Sequence, residues 1–295
     1  MKQLTERVWY APGGANIGVI VGDGRDVILI DTGLNDSAAR KALRWVRDDL
    51  MGNVVAIMTT HGHADHYGGN AFVVKRTGAR VYAPAWDEAM LRYPLMQAVN
   101  LFAGADPPSS MRTPFLVAEA SPVDEIYGAG EIQIAGVSMN AVSLAGHSPN
   151  QMGLVVDGVF FCADVVLPEA ALEKYRMPYL YSLTDHLVSL DRALDVEHDH
   201  VVPGHGPESD HVSTAVEQNR NVALRVIEMV VDACREPRTP GDILRCVLEG
   251  IGAEVSDAPS YYLLHPTMFA VLSHLERTGE LHHTVERGQS FWKRS

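Results

Sequence analysis

Four metal-ligating side chains fall within six residues, His61-Gly62-His63-Ala64-Asp65-His66, and no other feature of this chain constrains it as strongly. The run follows the apolar stretch Val54 to Met58, which reads as a strand. A strand ending in such a loop aims several imidazoles and a carboxylate into one small volume. That mixture suits zinc, iron or manganese far better than calcium or magnesium. A histidine-rich surface loop is the plainer alternative in a chain of 13 histidines, but the tight spacing argues against it.

Three later positions turn the cluster into a site. His147 follows the expected strand Val137 to Leu144, in the turn Ala145-Gly146-His147-Ser148-Pro149. Asp164 closes the apolar run that starts at Gly158, and His205 follows Val201-Val202 in Pro203-Gly204-His205-Gly206. Each is a ligand-type residue in a small-residue turn at the carboxyl end of a strand. Glycine lets the backbone bend close to an ion there. Taken singly, each reads equally well as an ordinary loop residue; the recurrence of one context makes them reinforce one another.

On these residues the chain resembles the metallo-β-lactamase superfamily, and within it the glyoxalase II type. The H-x-H-x-D-H run at positions 61 to 66, with His147, Asp164 and His205, fills all seven metal-ligand positions of that pattern, and the resemblance spans roughly residues 5 to 215. It implies that His61, His63 and His147 hold a first metal ion. Asp65, His66 and His205 would hold a second, with Asp164 bridging both. It also implies an αββα architecture, two mixed sheets flanked by helices, with the site at one edge. In the true β-lactamases the position matching His66 is usually not histidine, which counts against antibiotic hydrolysis.

The chemistry follows from physical argument as well. Two cations a few ångströms apart lower the pKa of a shared water and polarise a substrate carbonyl or phosphoryl oxygen. The cofactors expected are two divalent ions per chain, zinc foremost, with iron and manganese also compatible. Asp65 is the expected catalytic carboxylate, orienting the attacking water through its free oxygen. Asp31, at the end of Ile28-Leu29-Ile30, is expected to orient a ligating histidine from behind. Its alternative role is to cap the helix that follows.

Composition narrows the partners. The 295 residues allow one large and one small domain, set here at 1–212 and 213–295. No apolar run is long enough for a membrane span, and the first residues have no apolar core of a secretion signal. The three cysteines, Cys162, Cys234 and Cys246, lack metal spacing and read as reduced thiols of a cytoplasmic protein. A net charge of −13 argues against a nucleic-acid track and for a small-molecule substrate.

Along the chain, strands are expected at Arg7 to Tyr10, Asn16 to Val21 and Asp26 to Ile30, the last two forming a hairpin. Residues 36 to 50 and about 68 to 77 read as helices, and 131 to 163 as consecutive strands. That mixture suits a sandwich of mixed sheets with helices outside. From Val212 the character changes to three helices, the last carrying Pro266 near its expected start, followed by two short strands around Glu286 to Gly288. This order resembles a winged-helix tail. Residues 235 to 295 hold seven basic and eight acidic residues, so packing, dimerisation or covering the active site suits this tail better than reading DNA.

Two segments are candidates for substrate choice. Residues 85 to 122 carry Trp86, Met90, Tyr93 and Met96, either a wall for an acyl group or the buried face of a helix. Beyond Asp164 lie Lys174, Tyr175, Arg176 and Tyr179, which suit a carboxylate, phosphate or thioester tail, or else an ordinary solvated loop. His186 reads as a first-turn helix residue, and no remaining histidine is assigned to metal. Four activities are compatible with these ligands. Thioester hydrolysis leads; lactone hydrolysis uses the same attack on a carbonyl. Phosphodiester cleavage lacks basic track residues, and a mononuclear iron persulfide dioxygenase would waste His205. A non-enzymatic binding protein is disfavoured because no ligand has been lost.

Overall fold

A computed structural model describes every residue from Met1 to Ser295. The first sheet has seven strands in sequence order: β1 (Lys2–Gln3), β2 (Val8–Ala11), β3 (Ile17–Val21), β4 (Asp26–Ile30), β5 (Asn53–Met58), β6 (Arg80–Pro84) and β7 (Glu125–Tyr127). Strands β1 to β4 run antiparallel, and β4 to β7 pair in parallel. The second sheet contains β8 (Gly130–Ile134), β9 (Val137–Ser143), β10 (Met152–Val156), β11 (Val159–Ala163) and β12 (His200–Pro203), in the order β12-β11-β10-β9-β8. Only its β11–β12 pair is parallel. Both sheets are therefore mixed, as expected.

Strand alternation explains how the sheets stack. In β4, Ile28 and Ile30 face the second sheet, while Val27 and Leu29 face outward. In β11, Val159 and Phe161 face inward, and Phe160 and Cys162 outward. A period of two with both faces covered requires apolar residues throughout the buried stretch, which is what IGVIV, the VILI that follows Asp26, and VFFCA supply. Cys162 is thus a packing residue of the outer core. Ala163 then turns to a left-handed conformation (φ 49°), so the alternation does not carry through to Asp164.

Helices cover both outer faces. Helix α1 (Asp36–Asp48) and α3 (Asn70–Thr77) pack on the first sheet, with the single-turn α2 (Ala64–Tyr67) between them in sequence. Asn35 caps α1 by accepting from the Ser37 and Ala38 amides, so Asp31 is not its cap. Helices α4 (Asp87–Arg92) and α5 (Leu95–Leu101) are separate, broken at Tyr93-Pro94. The residue before proline is driven out of the helical region, and Tyr93 stands 64% exposed. Met90, Tyr93 and Met96 are consequently not one buried helix face.

Helix α6 (Glu169–Tyr175) and α7 (Leu183–Leu194) follow the second sheet. The C-terminal part has α8 (Ser213–Ala233), α9 (Pro240–Ile251), α10 (Ala258–Arg277) and the hairpin β13 (Leu281–Glu286)–β14 (Gln289–Arg294). Helix α10 starts at its Asp257 cap, earlier than the sequence suggests, and carries Pro266 inside it. Met177, Leu180 and Leu183 share the core of these C-terminal helices. The segment just beyond Asp164 is thereby clamped between the sandwich and the tail. No helix is long and apolar enough to cross a membrane.

Candidate metal centre

All seven ligand-type residues meet at the carboxyl ends of β5, β9, β11 and β12 and the loops that follow them. His61 Nε2 lies 3.1 Å from His63 Nδ1, which lies 2.9 Å from His147 Nε2. These separations are close to what three nitrogens require when each stands about 2.0–2.1 Å from one zinc ion. The second group is Asp65, His66 and His205; Asp65 Oδ2 is 3.4 Å from His205 Nε2 and 4.0 Å from His66 Nε2. Asp164 stands between the groups. Its Oδ2 is 3.4 Å from His147 Nε2 and 3.3 Å from His205 Nε2, and its Oδ1 is 3.6 Å from His66 Nε2.

The neighbours of these side chains fix which ring nitrogen points inward. His147 Nδ1 donates to the Tyr179 carbonyl at 3.2 Å, and His205 Nδ1 to the Gly14 carbonyl. His66 Nδ1 donates to Asp31 Oδ2 at 2.8 Å. The same carboxylate accepts from the Thr60 amide and hydroxyl, each at 2.8 Å, and the Thr60 oxygen lies 3.0 Å from His61 Nδ1. Asp31 therefore sets two imidazoles at once, one directly and one through Thr60. It does so from a left-handed backbone conformation (φ 58°), with its own amide bonded to Met58 at the end of β5.

The residues present fit divalent metal ions. His66 Nε2 and Asp164 Oδ1 are buried with no hydrogen-bond partner. Buried polar atoms are almost always satisfied, and two such orphans facing one point call for a cation. Close approach is built in at Gly204, where a Cβ would fall 1.9 Å from Asp164 Oδ1. Asn16 steadies that loop by donating to the Pro203 and Gly206 carbonyls at 2.8 and 2.7 Å.

Electrostatically the two groups differ. Burial and then neighbouring histidines push His61 well down and His63 to about 3. Burial also lowers His147, although Asp164 opposes it. Burial pulls on His66 as well, but Asp164, Asp65 and Asp31 outweigh it and hold its imidazole near 10. Asp164 raises His205 to about 12. Burial acts to raise both carboxyls, yet His66 brings Asp65 to about 2, and His205 with His66 holds Asp164 well below the usual carboxylate range.

Of the other residues singled out in the sequence, Tyr179 reaches the site: its ring packs edge-on to His63 and His147 at 5.1 and 5.7 Å. Lys174 and Tyr175 are exposed and contact each other, and Arg176 bonds the Ile251 and Gly252 carbonyls of the tail. None of their contacts, nor any of Tyr93, reaches a ligand-type residue. Asp87 was not foreseen. It is 1% exposed, and its two oxygens accept from the Gly62 and Asn150 amides at 2.8 and 2.9 Å, pinning the 61–66 loop to the 145–150 loop. Burial raises its carboxyl to about 6. The only sequence signal was an acid just after a strand end, at Pro84-Ala85-Trp86-Asp87.

Residues 10–205 match the Metallo-beta-lactamase superfamily profile. The chain belongs to that superfamily. Its members are typically metal-dependent hydrolases. As a metallo-beta-lactamase superfamily protein it is 24% identical over 283 residues to "Beta-lactamase-like protein 2 homolog" of Drosophila melanogaster, covering 92% of this chain and 86% of that one. It is 26% identical over 155 residues to "Hydroxyacylglutathione hydrolase" of Anaeromyxobacter dehalogenans, covering 52% and 47% of the two chains. A crystal structure of a "Beta-lactamase domain protein" from Burkholderia ambifaria superposes with a TM-score of 0.75 at 21% identity, covering 98% of this chain and 91% of that one. That likeness concerns the fold.

Proposed function

We propose that the chain is a dinuclear hydrolase of small acyl substrates, thioesters first, with two zinc-type ions at the ligands described. The observation that carries this reading is Asp164, one carboxylate within reach of His147 on one side and of His66 and His205 on the other. The first ion would sit on His61, His63 and His147, the second on Asp65, His66 and His205. Such a pair supplies Lewis acidity toward the carbonyl oxygen and acidifies a water between the ions.

The protein's own residues then divide the work. Asp65 uses Oδ2 toward His66 and His205, leaving Oδ1 as the atom that orients the attacking water and accepts its proton. That proton passes to the departing thiolate. Asp31, Thr60 and the Tyr179 carbonyl hold the imidazoles in the tautomer that presents a lone pair inward. The Tyr179 ring covers His63 and His147 and keeps bulk water from that side.

Support for a thioester over a polyanion comes from the net charge of −13 and from the partial likeness to a hydroxyacylglutathione hydrolase. We read the three C-terminal helices and their hairpin as a winged-helix-like cover of the site, held through Met177 and Leu180. Three unpaired cysteines suit a reducing compartment such as the cytoplasm. Thiol release from glutathione and coenzyme A thioesters tests the activity, with Asp65→Ala as control. Turnover above about 1 s⁻¹ that vanishes in the variant is expected. No turnover by protein carrying two ions would overturn the thioester reading and leave lactones as the acyl substrate to try.

A further inference from the structure

The chain is acidic as a whole, yet one of its faces is positive. Helices α1 and α3 carry Arg40, Lys41, Arg44, Arg47, Lys75 and Arg76 against only Asp36 and Asp48. These two helices therefore hold +4, which leaves −17 on the remainder of a chain whose net charge is −13. They pack beside each other over the first sheet and bury Ala39, Ala42, Val46 and Val73 beneath them. All six basic side chains are exposed on the other side.

Local helix chemistry accounts for only part of this face. Lys75 and Arg76 stand in the last turn of α3, where the helix dipole favours cations. Arg40, Lys41 and Arg44 occupy the middle of α1 and gain nothing of the kind. Arg40 and Arg44 are four residues apart, and Lys41 and Arg44 three, so like charges neighbour one another on the helix surface at a cost to it. Asp48 is taken by Arg47 at 2.6 Å, and the other five cations make no ion pair and no side-chain hydrogen bond. Two of them are nonetheless held in place. The guanidinium carbons of Arg40 and Arg76, on different helices, lie 5.0 and 5.3 Å from the centroid of the Phe72 ring. Contact with an aromatic face fixes a guanidinium and leaves its donors free for an anion.

We propose that the α1–α3 face is a docking surface for a short acidic peptide segment of a partner protein, its carboxylates received by Arg40, Arg44 and Arg76. Charge complementarity selects an anionic occupant, and the short reach of charge selects a small one. Screening confines each cation's influence to about 8 Å at physiological salt. A membrane surface or a long nucleic acid extends past the patch and meets the acidic remainder of the chain. A short peptide stays within it. Planar guanidinium forks also match carboxylates two donors at a time. None of the five unpaired cations contacts a ligand-type residue, so occupancy of this face does not depend on which substrate is hydrolysed.

Fluorescence anisotropy of labelled hexaglutamate with the full chain is the test. Saturable binding is expected, with a Kd below about 1 mM in about 50 mM salt, weakened about tenfold in about 300 mM salt. Arg40→Gln combined with Arg76→Gln should weaken it about tenfold, with Tm and turnover unchanged. Arg225→Gln, an exposed position on α8, should leave binding as it is. Absence of binding, or equal binding by the double variant, would overturn the proposal. So would tighter retention on phosphatidylserine vesicles or single-stranded DNA than on hexaglutamate, which would assign the face to a different occupant. A dimer in light scattering that the double variant abolishes would show a second copy covering the face, and would overturn it as well.

Discussion

The two halves of the ligand cluster both draw histidines from the run at 61 to 66, one completed by His147 and the other by Asp65 and His205, yet their imidazoles hold different charge states. His61, His63 and His147 are pushed toward neutrality by burial, His63 to about 3. His66 and His205, only a few ångströms away, are held near 10 and 12. The difference lies in the carboxylates: Asp65, Asp164 and Asp31 all stand around the second half. Burial alone yields neutral imidazoles whose lone pairs suit an ion. Burial among carboxylates yields a site that retains cationic charge, carried by protons until a metal ion replaces them.

That contrast breaks most sharply at the residue the halves share. Asp164→Ala should lower activity by about 10³-fold or more and reduce bound metal in both halves, read by kinetics and elemental analysis. Loss from only one half would mean that Asp164 is not a bridge. Next in size is Asp31→Ala, which leaves every proposed ligand in place but frees His66 and, through Thr60, His61. Metal affinity should fall about 10- to 100-fold, seen in chelator competition. Unchanged affinity would remove Asp31 from the account.

Proton release separates the halves without mutation. At neutral pH the second half must lose the protons on His66 and His205 before binding, so loading should release up to about two protons. His63, already neutral, should release none. Affinity of the second half therefore rises with pH, while that of the first is nearly flat across the same range. Calorimetry in two buffers of different ionisation enthalpy gives the count, and equal release from both halves would contradict the split. The smallest effect is expected at Asp87→Ala, which leaves the Gly62 and Asn150 amides unpaired. A cost of about 1–3 kcal/mol per amide should lower Tm by several degrees. An unchanged Tm would show that the loops hold without this tie.

The sequence made the ligand-type residues and most strands legible because both depend on local pattern. The run at 61 to 66, the glycine turns around His147 and His205, and the apolar alternation of β4 and β11 are all short-range features. Asp31 was legible for the same reason, as an acid at a strand end. Asp87 occupies a similar place, but nothing local marks it, because its two amide partners come from loops distant in sequence. His186 read as a helix-start residue; only tertiary packing buries it against Gly146. Lys174 and Arg176 followed Asp164 in sequence, yet in space they turn to each other's neighbours and to the tail, because Arg176 finds the carbonyl end of α9. Tyr179 enters the site through its carbonyl and ring, a geometry that residue type alone does not announce.

The central claim is that one centre has two separable ion sites joined by Asp164. Elemental analysis of the purified, zinc-loaded chain beside His205→Ala tests it most directly. The account predicts about two ions in the wild type and about one in the variant, which retains His61, His63 and His147. One ion in both proteins, or none in the variant, would contradict it.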